Sequence, residues 1–362
     1  MRKSLSRFFV IFTIGVVLAL SSIPAFARCF TTFDPEGSIG TIPTAINSSR
    51  SITGYYVDSG NREHGFVRTA RGRITTFDPP DSVDTVPASI NFWGTITGNY
   101  YNGTTGRSFV RTAGGIMTTF AVPGSIATDA SGIDAFAVIT GDYEDGSGGN
   151  HGFVRTVDGT ITTFDPPGSI LTSVLSSNSL GTTTGYYYDE SGKALCFVRT
   201  AGGEITELDP AGATGGGSYA ISISDSGAVT GYYYDNIGNG EHGFVRTAGG
   251  KITAFDSPGI DTFPTGIDFS RTITGYYEKL APDGKVVVHG FVRAARGVIT
   301  TFDFPGSMDT EPTGINSSGS ITGYYQDSDF YLHGFLSAKE RKITPFDLSL
   351  IHISEPTRQA EI

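Results

Sequence analysis

The sequence predicts an all-β repeat fold, a β-propeller of seven four-stranded blades, and three observations predict it. A unit of about 44 residues recurs seven times, each copy carrying the anchors "GYY", "HGFVR" and "ITTFDPPG" or close variants of them. The interval from the Phe of the second anchor to the apolar residue of the third is 11 positions in every copy. The composition, with 49 Gly, 25 Phe and 17 Tyr, suits short strands joined by tight turns.

The unit reads as four strands in order. Segments such as "PTAINSSRSITGYY" and "PTGINSSGSITGYY" are a short strand ending at Ile46 or Ile315, an Asn/Ser/Gly turn, and the GYY strand that begins at Gly54 or Gly323. The HGFVR strand follows, with Phe66, Phe109, Phe153, Phe197, Phe244, Phe291 and Phe335 in its seven copies. The fourth strand carries Phe77, Phe120, Phe164, Leu208, Phe255, Phe302 and Phe346, with one extra copy at Phe33. If the two aromatic positions face each other, as Phe66 and Phe77, the hairpin centre falls on two residues, such as Arg71 and Gly72, with Gly second in six copies and Glu340-Arg341 in the last. Such facing pairs contribute roughly 0.2–1 kcal/mol each. Val67, on the opposite side from Phe66, is apolar too, so the ribbon is covered on both faces, as a blade between two neighbours is. A β-solenoid is the competing architecture, but it stacks instead of closing and needs terminal caps.

Both ends stand outside the repeat. Arg2, Lys3 and Arg7 precede an apolar run from Phe8 to Leu20 and an Ala25-Phe26-Ala27 site, which reads as a signal peptide over residues 1–27. The run is shorter than the roughly 20 residues of a membrane-spanning helix, so no membrane insertion is expected after cleavage. The repeat domain spans 28–347, and "LSLIHISEPTRQAEI" over 348–362 resembles translated sequencing-adapter read-through. The segment Thr31 to Asp34 is a fourth strand without an HGFVR partner before it. Because Lys342 to Asp347 already serves the seventh copy, an eighth blade in the intact gene is the expected partner.

The repeating "GIN…G.ITGYY.D…HGFVRT..G.ITTFD.PG" over residues 30–347 resembles the HAF-type extracellular repeat of bacteria. That resemblance implies a secreted, propeller-like protein, and it brings no reaction and no catalytic residues.

Chemistry is sparse. The net charge of −11 repels phosphate backbones, so nucleic acid is not an expected partner. Cys29 and Cys196 are too far apart in the array to be expected to pair. Five histidines, His64, His151, His242, His289 and His333, share one repeat position; copies stand too far apart around an axis to share a metal ion, so a local hydrogen bond is expected and no metal or cofactor. The recurring Asp78, Asp165, Asp256 and their equivalents read as Asx turns before Pro, and Arg68, Arg111 and theirs as caps paired with carboxylates. Loops such as "DSGNRE" and "EDGSGG" lack calcium-site spacing, and HExxH, CxxC, GxSxG and P-loop motifs are absent.

A single site must break the symmetry of the copies. Phe92 and Trp93 occupy a turn where other copies have Ser-Ser, and an exposed aromatic there stacks on a sugar ring, whereas a buried one packs between blades. The long connection from Glu278 to Val288 is a second contact candidate. Two functions follow: a non-enzymatic binding or scaffold module for an extracellular glycan, surface polymer or protein, or a glycosidase or lyase whose unique polar residues cluster at a channel mouth.

Overall fold

The computed structural model describes residues 28–339 except 211–212, 214–215 and 236–239. The expected signal segment, the turn at Glu340-Arg341, the strand at Lys342 to Asp347 and the tail lie outside the described residues. Blade 1 consists of β2 (Ser38–Ile46), β3 (Ile52–Asp58), β4 (Glu63–Arg68) and β5 (Ile74–Phe77), antiparallel and adjacent in that order. The same order repeats as β6 to β9 over residues 84–120, β10 to β13 over 127–164, β14 to β17 over 169–208, β18 to β21 over 218–255 and β22 to β25 over 261–302. Blade 7 is built from β26 (Asp309–Ile315), β27 (Ile321–Gln326), β28 (Leu332–Lys339) and, as its fourth strand, β1 (Arg28–Phe33). The expected eighth-blade partner for the N-terminal strand is therefore corrected: β1 pairs with β28, Phe33 opposite Gly334, and the ring closes at seven.

Antiparallel alternation sorts the connections onto two faces. Turns after the first and third strands share one, the turn face, and loops between second and third strands, with the links between blades, share the other, the loop face.

Local chemistry explains the anchors. Each first strand carries a β-bulge, in blade 1 between Pro43 and Ala45, which drives its backbone against the second strand. A Cβ on Gly54 would stand 2.2 Å from the Ile42 carbonyl oxygen, so the first letter of GYY must be Gly. The Phe of HGFVR is the centre of every blade: all seven copies are fully buried. Burying such a side chain contributes about 1.5–3 kcal/mol relative to leaving it exposed.

The aromatic pairing departs from the sequence expectation. Phe66 stands opposite Thr76, and Phe77 opposite Gly65, one residue out of the facing register. The hairpin turn holds three residues, not two: Thr69 and Arg73 close it, and Gly72 at φ 89° ends it, a left-handed position that Gly takes without strain. With Gly65 beneath it, the Phe77 ring reaches the next blade and meets Phe109 edge to face at 5.9 Å. Phe33–Phe66, Phe120–Phe153, Phe164–Phe197, Phe255–Phe291 and Phe302–Phe335 repeat this contact at 6.0–6.5 Å. The ring pairs are joints between blades, and Leu208 replaces the aromatic at the junction of blades 4 and 5.

The arginines are corrected likewise. Arg68, Arg111, Arg155, Arg199 and Arg293 lie 4.6–4.8 Å from the centre of the preceding blade's fourth-strand ring, and no carboxylate pairs with them among the described residues. At five of the seven junctions a Phe is thus clamped between a buried Phe and a guanidinium.

Candidate functional site: the two mouths of the central channel

The first strands of all seven blades line a central channel, and on the turn face their ends enclose a cavity of about 440 Å³. Its wall contains Ile46, Ile90, Ile133, Ile223, Ile267 and Ile315, one from each blade except blade 4, which contributes Ser177. Above them stands a ring of turns. Asn47 Oδ1 accepts from Ser51 N at 2.9 Å, while its Nδ2 donates to the Asn91 carbonyl of the next blade at 3.0 Å. Asn91 and Asn178 donate onward in the same way, and Asn316 Nδ2 reaches the Asn47 carbonyl at 2.9 Å, carrying the ring across the closure. These buried bonds hold the mouth rigid from blade to blade.

Phe92 and Trp93 sit on this ring. They are 58% and 67% exposed, with rings edge to face at 4.9 Å, and both line the cavity. Trp93 is not a packing residue between blades. Phe136, Leu180 and Phe269 stand exposed on the equivalent turns of blades 3, 4 and 6, where blades 1 and 7 have Ser. The second candidate, the stretch from Glu278 to Val288, is not an open loop: β23 (Ile273–Leu280) and β24 (Val286–Arg293) extend the hairpin through it, Leu280 opposite Val286.

On the loop face, the repeating histidines bond locally, as the sequence suggested. His64 Nδ1 lies 2.8 Å from Asp78 and its Nε2 3.3 Å from Asp58, and the ring packs against Tyr56 at 5.2 Å. His151, His242 and His333 repeat the double contact, the last with Asp34 at 2.8 Å and Asp327 at 3.1 Å. His289 bonds Asp303 at 2.9 Å. Asp34, Asp78, Asp165, Asp256 and Asp303 are therefore histidine partners, while Asp209, whose blade has Leu195 in place of His, lies 3.3 Å from Lys193 Nζ. The Asx role belongs to the loop carboxylates, Asp58 accepting from Gly60 N and Arg62 N. For His64, His242 and His333, burial works against the charge, but the bonds and charges of both aspartates outweigh it and raise the pKa; for His151 the bond to Asp165 leads.

Sequence reasoning missed one set. The position just before the bulge differs between copies, reading Ile42, Val86, Asp129, Ser173, Tyr219, Phe263 and Glu311, and each faces the first residue after the GYY-type Gly across the ladder. Tyr219 stacks on Tyr232 at 5.1 Å, Tyr232 meets Phe263 at 5.3 Å, and Phe263 meets Tyr276 at 5.0 Å, an aromatic arc through blades 5 and 6. In blade 3 the pair is two carboxylates, Asp129 opposite Asp142. Asp142 accepts from Asn150 Nδ2 at 2.9 Å and from Val174 N of the next blade at 3.4 Å; burial, with the charge of Asp129, pushes its carboxyl up to about 7. Aligning the copies on the residue 12 positions before each GYY-type Gly finds this ring, because the position runs from aliphatic through aromatic to carboxylate around the seven copies.

Comparison with solved structures settles the architecture. A catalytically inactive virginiamycin B lyase from Staphylococcus aureus superposes with a TM-score of 0.58 at 14% identity, covering 85% of this chain and 99% of that one. The lectin BP39L from Burkholderia pseudomallei superposes with a TM-score of 0.53 at 10% identity, covering 84% and 98%. The fold is a seven-bladed β-propeller. At these identities the likeness extends to fold alone, and the neighbours divide between an enzyme and a sugar-binding protein. No protein-family model and no curated protein matches the chain. No helix among the described residues is long and apolar enough to cross a membrane.

Proposed function

We propose that this propeller is a secreted, non-enzymatic module of the HAF-repeat kind that binds an extracellular glycan at its turn-face mouth, with Trp93 and Phe92 as the stacking surface. The supporting observation is that the one tryptophan of the chain stands exposed over the cavity, on a turn whose backbone is locked by the Asn ring. A rigid aromatic presented to solvent loses little entropy on stacking against a sugar face. A glycan array probed with the exported protein and with Trp93→Ala and Phe92→Ala tests this: the variants should melt as the parent does and lose binding by about tenfold or more. Unaltered binding by both variants overturns the reading.

The enzymatic reading, a glycosidase or lyase, draws on the Asp129 and Asp142 pair, since facing carboxylates with one raised pKa suit acid-base work. The bonds of Asp142 to Asn150 and to the next blade favour a joining role. Turnover of any glycan that is abolished by Asp142→Asn without loss of folding would reverse that preference.

A further inference from the structure

We propose that the turn face as a whole rests on an anionic lipid bilayer, adsorbed to its surface without spanning it. The inference goes beyond the glycan reading, because it concerns the full width of the face and not the mouth at its centre. Among the described residues, seven of the eight large apolar side chains that are more than 60% exposed stand in the turns of this face, Phe330 being the exception. Trp93, Phe136, Leu180 and Phe269 are on the inner turns, after first strands. Ile116, Val157 and Val298 are on the outer turns, after third strands, so that blades 2, 3 and 6 carry one on each turn. In a ring of seven, blade 6 stands opposite the junction of blades 2 and 3. Only an occupant that spans the face covers both sides at once.

The face is also level. All seven inner turns and the six described outer turns are closed by the same backbone bond, first residue to fifth, as Asn91 N to Thr95 O and Thr156 N to Thr160 O, both at 2.9 Å. Their tips therefore reach similar heights. The loop face is uneven, since its hairpins differ in length and β23 and β24 run out to Leu280 and Val286.

Charge is sorted in the same way. Only five of the 32 Asp and Glu residues between 28 and 339 lie in these turns, and two of them, Asp134 and Asp268, are buried. The same turns expose six cations, Arg50 and Arg271 on inner turns and Arg71, Arg73, Lys251 and Arg296 on outer ones. None of the six is in an ion pair among the described residues, where the Lys pairs, Lys193 with Asp209 and Lys285 with Asp283, belong to the loop face. A protein of net charge −11 thus gathers exposed cations and its most exposed apolar groups on one side.

That combination fits a bilayer surface. Apolar tips enter the interface one by one and need not converge, while each Lys or Arg held near anionic headgroups strengthens adsorption about fivefold. A second copy fits less well: turn face against turn face opposes like charges, and the loop face is too uneven to seat against level turns.

Vesicle flotation of the exported protein tests the proposal, comparing vesicles of mixed phosphatidylglycerol and phosphatidylcholine with vesicles of phosphatidylcholine alone. The anionic vesicles should bind about tenfold more tightly at low salt, and the difference should shrink as salt is added. Trp93, the one tryptophan of the chain, should shift its emission to the blue on the anionic vesicles. Ile116→Ser/Val157→Ser/Val298→Ser, which alters exposed tips alone, should melt as the parent does and keep the parent's pattern on the glycan array. Its binding to anionic vesicles should fall by about tenfold or more. Arg71→Gln/Arg73→Gln/Arg296→Gln should cut the preference for anionic vesicles to about threefold or less. No adsorption of the parent to either vesicle, or adsorption that both variants retain, overturns the bilayer proposal and leaves the glycan reading to the array. Self-association of the parent without vesicles, lost in the serine variant, assigns the face to a second copy and overturns the proposal as well.

Discussion

The Arg28 guanidinium lies 5.6 Å from the centre of the Phe302 ring and donates to Ser337 Oγ at 3.3 Å. Ser337 occupies, in the seventh HGFVR strand, the place where the other six copies carry Arg. The N-terminal strand thus brings the missing cation with it, and the 6–7 junction is completed by a residue 309 positions away in the chain.

Arg28→Ala should therefore destabilise the closed ring by about 0.5–2 kcal/mol, the range for a partly buried cation over a ring. Thermal melting measures the loss, and limited proteolysis should show earlier cutting near β1. Arg68→Ala, at a junction held by contiguous chain, should lower stability without that early cut. Equal protease patterns would count against the closure role.

Truncating Phe109 to Ala should cost about 3–5 kcal/mol, as for a fully buried ring. A double-mutant cycle between Phe77 and Phe109 should give about 0.5–1.5 kcal/mol of coupling, and one between Phe66 and Phe77 distinctly less. The reverse order would restore the within-blade pairing that the sequence suggested.

Asp134 occupies in blade 3 the position from which Asn91 donates to the next blade, and its Oδ1 accepts from Phe136 N and Val138 N, so Asp134→Asn should raise stability by about 0.5–1.5 kcal/mol through one new bond to the Asn178 carbonyl. Denaturant unfolding at neutral pH checks it. Destabilisation would mean that the carboxylate has a partner in the folded state.

Stability should depend on pH through the histidines of the loop face. The folded pKa values of His64, His151, His242 and His333 lie above the unfolded value, so their ion pairs contribute fully below pH about 6.5 and fade as pH rises through the raised values. Asp58, Asp145, Asp189 and Asp327 are held below their usual range, so their contribution is present above pH about 3.8 and is lost as pH falls. Melting temperature should peak on the mildly acidic side of neutrality, and replacing the four histidines by Asn should flatten its alkaline limb. A parent protein whose melting temperature is level from pH about 6 to 9 would remove the histidines from the account.

Much of the architecture was legible in the chain. Strand order, the buried Phe of each HGFVR, the positive-φ Gly of six hairpins and the local bonding of the histidines follow from residue type and spacing. The register did not, because an interval of 11 residues fits a two-residue turn with facing rings as well as a three-residue turn with rings one step apart. The use of Asp78 by His64 was equally hidden: an Asp before Pro serves an Asx turn in a peptide, and only the folded hairpin brings a His ring to it.

Sequence alone determined a repeating four-strand unit whose ribbon is apolar on both faces, as Phe66 and Val67 show, and so the need for neighbours. What those rings touch, which strand completes blade 7 and which polar residues share the channel were decided by closure. The reason is physical: side-chain alternation and turn chemistry are local properties of a strand, whereas contacts between blades, and between residues 28 and 337, exist only once the ring has brought distant chain together.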